Sequence, residues 1–205
     1  MSNTWIIGDT HFGHPNILIH CARPFSTVQQ MDEALTSNWN SVVKPEDLVW
    51  HLGDFTAFVK DLARIEAYRK ALNGRIRLIR GNHDWGNASR YIKLGFEESY
   101  RSTVYDRFVL SHYPGGPWVT DEVIVDEKHP NGRPKFNKGH KLTARVLEQS
   151  NARGVMHGHV HNSRQEEYPD CLNVSADVLG FTPIPWEEAK VRWDEARKRE
   201  IGNGT

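Results

Sequence analysis

The stretch Thr4-Trp5-Ile6-Ile7-Gly8-Asp9-Thr10-His11 joins a short apolar run to a glycine, then to an aspartate and a histidine two residues apart. Aromatic and β-branched residues favour an extended strand, and the glycine permits a tight turn at its end. The same construction recurs along the chain. Val49-Trp50 precedes Gly53-Asp54, and Leu78-Ile79 precedes Gly81-Asn82-His83-Asp84. Val109-Leu110 precedes Ser111-His112, and Val155-Met156 precedes Gly158-His159-Val160-His161. In open α/β sheets, ligands gather outside the carboxyl ends of the strands. Five strand ends are therefore expected to bring Asp9, His11, Asp54, Asn82, His112, His159 and His161 to one rim.

Working outward, strands are expected at Trp5–Gly8, Leu48–Leu52, Ile76–Arg80, Phe108–Ser111, Gly154–His157 and Leu172–Val174. Helix-period segments alternate with them, which reads as α/β or α+β. Val28, Met31, Leu35, Trp39 and Val42 share one helical face, opened by a capping box of Ser26 and Gln29. Phe58, Leu62, Ile65, Tyr68 and Leu72 form a second face, stopped by Asn73-Gly74. A third helix covers about Lys141–Gln149. The last starts at Pro185, packs through Trp186, Ala189, Trp193 and Ala196, and frays from Ile201. Residues 113–139 are rich in Pro, Gly and charge and break the pattern. They read as an irregular insertion, either a substrate cap or a surface loop, with room for a hairpin on Val123–Val125 and Lys135-Phe136.

The chain has 205 residues, enough for one domain spanning residues 1–205 with a sizeable core. Lys and Arg number 26 against 26 Asp and Glu, so no global attraction to nucleic acid or anionic lipid follows. No apolar run reaches membrane-spanning length, and the first residues lack the pattern of a signal peptide. Cys21 and Cys171 read as free thiols, which fits a cytoplasmic protein.

Mixed imidazole, carboxylate and amide ligands suit Mn, Fe, Zn, Co or Ni, with Mn preferred here, and do not suit Ca. A carboxylate shared between two such cations, flanked by N and O ligands, is the arrangement of a dinuclear hydrolytic site.

The ordered motifs DTH, GD, GNHD, a single His and GHVH resemble the calcineurin-like metallophosphoesterase superfamily. The flanking DTHFGHPNI, RPF, MDEALTSNWN and WHLGDF are similar to those of its small bacterial and phage members. The resemblance implies a four-layer αββα sandwich of two mixed sheets flanked by helices, with a dinuclear site at the strand ends. It implies one metal on Asp9, His11, Asp54 and His161, and a second on Asp54, Asn82, His112 and His159. It makes His83 the catalytic histidine near the leaving group and Asp84 the carboxylate that orients it. A water between two cations ionises near neutral pH and attacks phosphorus in line, while His83 assists the departing oxygen.

The resemblance also narrows the substrate. Protein phosphatases of the superfamily carry GDxVDRG, whereas this chain reads Gly53-Asp54-Phe55-Thr56-Ala57-Phe58-Val59 without the arginine. No capping domain or apolar membrane insert is evident either. A phosphodiesterase acting on nucleotides, cyclic nucleotides or short oligonucleotide ends is the expectation. A monoesterase on small metabolites is the alternative, and a non-catalytic scaffold of the same fold is a rival of another class. Asn82, His14 and Arg23 are candidate substrate contacts, although His14 equally suits a loop carbonyl and Arg23 a structural ion pair. Phe12, Phe55 and Trp85 are expected mainly to wall the site. His51 and His157 read as strand residues, and His20, His129 and His140 as surface histidines.

Overall fold

The computed structural model describes residues 2–56, 60–116, 138–162 and 170–203, the side chains of 199–203 excepted. Phe58, His129 and the expected hairpin lie outside the described residues, as does most of the expected insertion.

Two sheets form the centre. In the first, β1 (Thr4–Ile7), β2 (Leu48–His51), β3 (Arg75–Ile79) and β4 (Glu98–Tyr100) run parallel, and β9 (Ile184–Pro185) closes the β1 edge antiparallel. The second has the order β5 (Ser102–Tyr105), β6 (Phe108–Ser111), β7 (Gly154–His157), β8 (Cys171–Asn173). Its β6, β7 and β8 are parallel and β5 is antiparallel. The expected class holds: a mixed α/β fold of two mixed sheets flanked by helices. A single parallel bridge, Gly8 to Ser175, joins the sheets at the end where the ligand-bearing turns emerge.

The strands β2, β6 and β7 are buried along their whole length, as strands covered on both faces must be. Among the described residues there are, besides the two short helices α1 (Ile17–His20) and α4 (Ala88–Lys93), four longer helices. They are α2 (Val28–Val42), α3 (Leu62–Ala71), α5 (Lys138–Glu148) and α6 (Trp186–Asn203). Met31, Leu35 and Trp39 of α2, Ile65 of α3 and Trp186, Ala189 and Trp193 of α6 enter one core with the strands. The capping box at α2 sits one residue later than expected. Thr27 Oγ1 accepts from Gln30 N at 3.2 Å, and Gln30 Oε1 accepts from Ser26 N at 3.0 Å. Two further differences concern ends. Leu62 is exposed at 45%, because α3 begins there behind an Asp61 cap, and α6 extends through Asn203.

Asp47 fastens the entry of β1 to that of β2. Its carboxylate accepts from Asn3 N at 2.7 Å, Trp5 Nε1 at 3.0 Å and Lys44 N at 3.0 Å. Burial acts to raise its pKa, but these donors outweigh it and hold the pKa below the ordinary carboxylate value. Asp47→Ala should cost about 2–3 kcal/mol, because donors that met a charged acceptor lose it. In wild type this contribution is complete above about pH 4, the unfolded value, and is lost as pH falls through the lower folded value. Denaturant melts of both proteins between pH 3 and 7 check this, with the gap narrowing toward acid.

Candidate metal centre

The ligand-bearing turns have unusual backbones. Asp9 (φ 54°), His11 (53°), Asp54 (52°), His159 (73°) and His161 (49°) all sit in the left-handed region. L-residues enter it at a cost, and here it reverses the chain within one residue and aims each side chain across the strand ends. The main chain stitches the turns together. Asp9 N donates to Gly53 O at 2.9 Å, His11 N to Asp54 O at 2.9 Å, and Gly158 N to His112 O at 3.1 Å. Glycine is sterically required at positions 81 and 158, since a Cβ on Gly81 would overlap the Asp54 carboxylate and one on Gly158 the Asp9 carboxylate.

Asp54 lies between two clusters. Its Oδ2 is 3.5 Å from His11 Nε2 on one side and 3.4 Å from His112 Nε2 on the other. On the first side, Asp9 Oδ1 is 3.9 Å from His11 Nε2 and 4.0 Å from His161 Nε2. On the second, His112 Nε2 stands 3.1 Å from Asn82 Oδ1 and 3.2 Å from His159 Nδ1. Atoms bonded to one cation at about 2.0–2.2 Å stand roughly 3.0–3.5 Å apart. The second cluster has that spacing, and the first is slightly wider. The seven side chains predicted as ligands are thus brought together in two groups that share Asp54.

The donor chemistry fits cations. Both ring nitrogens of His11 are buried without a hydrogen-bond partner, a costly state that a metal bond relieves. His112 Nδ1 donates to Leu52 O at 2.9 Å, which leaves Nε2 for the site. Burial pushes the His11 and His159 imidazoles well below their ordinary pKa. Burial also opposes charge on Asp54, yet His112 and His11 hold that carboxyl well below the usual range. His112 in turn is carried up to about 9 against its burial, chiefly by Asp54. A cation taking the place of that proton makes binding release protons and weaken toward acid.

His83 presents its ring at this rim, with Nε2 3.9 Å from Asp54 Oδ2 and a side chain 24% exposed. Asp84 also meets the main chain. Its Oδ2 accepts from Asp54 N at 2.7 Å and Gly81 N at 2.8 Å, and its Oδ1 from Phe55 N at 3.2 Å. The carboxylate therefore pins the turn carrying Asp54 to the turn carrying Asn82, a task the orienting role expected for it does not include. Burial, followed by the charge of Asp54, raises its pKa to about 7. Asp84→Ala strands three backbone donors, and a loss of at least about 3 kcal/mol is expected. A urea melt in chelator checks it, since the effect must persist without metal.

Arg23 requires a correction as a substrate contact. Its Nε and Nη2 grip Asp177 at 2.8 and 2.9 Å, and Nη1 and Nη2 donate to Thr10 O at 2.9 Å and Asp9 O at 2.7 Å. The fork is spent inside the protein. His14 does reach the site, its ring centroid 5.4 Å from that of His11 and 5.9 Å from that of His83. His140 is also a correction, being buried behind the second cluster with its ring 5.7 Å from His159. His20 is exposed as expected. Phe12 and Phe55 are wholly buried and pack on each other at 5.3 Å, whereas Trp85 is 59% exposed. His157 Nδ1 donates to Gly158 O at 2.8 Å, which supports the turn. His51 joins two turns. Its Nδ1 accepts from Gly53 N at 3.2 Å, so Nε2–H faces Thr10 Oγ1 at 3.0 Å, and that hydroxyl donates to Phe55 O at 2.9 Å.

Sequence reasoning missed Asn173, Ser175 and Asp177. Asn173 Nδ2 donates to His161 O at 2.6 Å, and Ser175 Oγ to Asp9 Oδ2 at 2.9 Å. Asp177 Oδ2 lies 2.8 Å from His161 Nδ1. The available signal was the alternation Asn173-Val174-Ser175-Ala176-Asp177, polar on one face and small apolar on the other.

Comparison with known proteins gives the family. Residues 3–178 match the calcineurin-like phosphoesterase superfamily domain, and the chain belongs to that family. It is a metal-dependent phosphoesterase, a hydrolase. It is 31% identical over 192 residues to an uncharacterised protein of Methanocaldococcus jannaschii, covering 90% of this chain and 87% of the relative. It is 39% identical over 85 residues to the gene 66 protein of Mycobacterium phage L5, covering 41% of each. A crystal structure of an Aquifex aeolicus protein of unknown function superposes with a TM-score of 0.68 at 29% identity, covering 93% of this chain and 98% of that one.

Proposed function

We propose that the protein is a phosphodiesterase, working with two divalent cations, Mn first among them, on nucleotides, cyclic nucleotides or short oligonucleotide ends. The cations, when bound, supply a nucleophile at neutral pH and neutralise phosphoryl charge. Asp9, His11, Asp54 and His161 would hold one, and Asp54, Asn82, His112 and His159 the other. His83 gives a proton to the departing oxygen, a role open to an imidazole, which can carry a proton on each ring nitrogen. Asn82 and His14 would contact the phosphoryl oxygens. The proposed setting is the cytoplasm, and among the described residues no helix is long and apolar enough to cross a membrane.

The observation that carries the diester reading is the engagement of Arg23. A cavity of about 410 Å³ opens beside His11, His83 and His161, walled also by His14, Ile17, His20 and Asn162, with no Lys or Arg among the described residues of its lining. With the Arg23 guanidinium spent on Asp177 and main-chain carbonyls, none of the described lining residues adds a fixed cation for the second charge of a monoester. A diester carries one charge and does not need it. The test is hydrolysis of bis-p-nitrophenyl phosphate beside p-nitrophenyl phosphate, with metal-stripped protein and with Mn²⁺ restored. Mn-dependent cleavage favouring the diester supports the reading. Preference for the monoester replaces it with a monoesterase, and no cleavage of either with two cations bound replaces it with a scaffold.

A further inference from the structure

We propose that Asp177, gripped by Arg23, is a positioning residue that fixes the His161 imidazole and so sets the affinity of the Asp9–His11–His161 half of the site alone. The inference rests on the dinuclear reading above and adds to it a device that tunes one cation independently of the other.

A carboxylate accepts hydrogen bonds and cannot donate them. At 2.8 Å from Asp177 Oδ2, His161 Nδ1 must therefore carry its proton, which leaves Nε2 to face Asp9. The ring is held as firmly as Asp177 is, and Asp177 is held firmly. Arg23 meets it with two parallel N–H groups at 2.8 and 2.9 Å, in a pair whose side chains are 0% and 4% exposed. The same guanidinium binds the carbonyls of Thr10 and Asp9. One side chain thus links the turn that bears Asp9 and His11 to the segment that orients His161. Ser175, two residues before Asp177, adds a hydrogen bond to the Asp9 carboxylate.

The other half uses a different device. His112 is oriented by the Leu52 carbonyl, a neutral main-chain acceptor, and neither Arg23 nor Asp177 has a hydrogen bond to it. A carboxylate behind a ligating imidazole raises its basicity more than a carbonyl does, and losing such a partner typically costs about 10–100-fold in metal affinity. Lysine at position 23 offers one point charge where the geometry uses a fork.

The test is Mn²⁺ titration of the full chain by electron paramagnetic resonance, resolving the two stepwise constants, for wild type, Asp177→Asn, Arg23→Lys and the double variant. The expected result is about 10–100-fold weakening of one constant in Asp177→Asn, with the other unchanged. Arg23→Lys should weaken the same constant, and the double variant should fall short of the product of the two single effects, because part of what Arg23 does passes through Asp177 and part through the turn of Asp9 and His11. Circular dichroism of the metal-free proteins shows which variants are folded, and if Asp177→Asn is not, Arg23→Lys carries the comparison. Two unchanged constants in a folded variant, or a parallel fall of both, overturns the positioning role while the dinuclear reading stands. Wild type that takes fewer than two cations overturns both.

Discussion

Asp54→Ala is expected to abolish binding of both cations and reduce hydrolysis of bis-p-nitrophenyl phosphate to background. Its Oδ2 lies within 3.5 Å of imidazoles from both clusters. Each half then keeps only neutral donors plus, on one side, Asp9. Losing the cations removes several kcal/mol of charge stabilisation, and 1.36 kcal/mol is tenfold in rate, so the loss is at least about 10³-fold. Asp54→Asn separates charge from shape, because an amide oxygen can still accept from His83 N, as Asp54 Oδ1 does at 2.9 Å. It should fold as wild type and still fail to hold two cations. Equilibrium dialysis with metal analysis decides the matter. A folded Asp54→Ala that retains one tightly held cation and a tenth of the activity would show that Asp54 is not shared.

His83→Ala should keep both cations and lose about 10²–10⁴-fold in rate, the usual size of a general-acid contribution. His83 stands outside the two tight clusters, 3.9 Å from the Asp54 carboxylate, and its side chain is partly open to the cavity where a leaving group would depart. A proton donor matters most when the departing oxygen is basic. The loss should therefore be small with p-nitrophenolate as leaving group and large with an alkoxide. Rates on a series of diesters with graded leaving groups check this. An equal loss across the series would make His83 a substrate contact and not an acid.

Much of the fold and of the candidate site was legible in the sequence, for a physical reason. β1, β2, β3, β6 and β7 are apolar runs ending in Gly, Asp or His, and both local propensity and the need for a turn point the same way. The strands that escaped notice are β4, β5 and β9. Glu98-Ser99-Tyr100 and Ser102-Thr103-Val104-Tyr105 lie at sheet edges, where half-polar composition is tolerated, and β9 is two residues ending in proline. The same limit applies to the site. Asp9, His11 and His161 announce themselves by spacing, but Asp177 acts on a residue 16 positions away and Arg23 on one 154 positions away. Such pairings are set by how the two sheets meet. His140 looked like a surface residue because nothing local shows that α5 lies over the second cluster.

The left-handed backbones at Asp9, His11, Asp54, His159 and His161 bear on how this scaffold can change over time. Each such residue costs on the order of 1–3 kcal/mol of folding free energy that glycine would not. Drift toward glycine at these five positions is thus downhill in stability and uphill in chemistry. A lineage freed from the demand for catalysis would shed its ligands there first and become sturdier as it did so. A descendant that serves only as a docking platform should carry glycines where this chain carries aspartate and histidine. Under that pressure the fold outlives the reaction, and heat resistance and turnover trade against each other at the same five bonds.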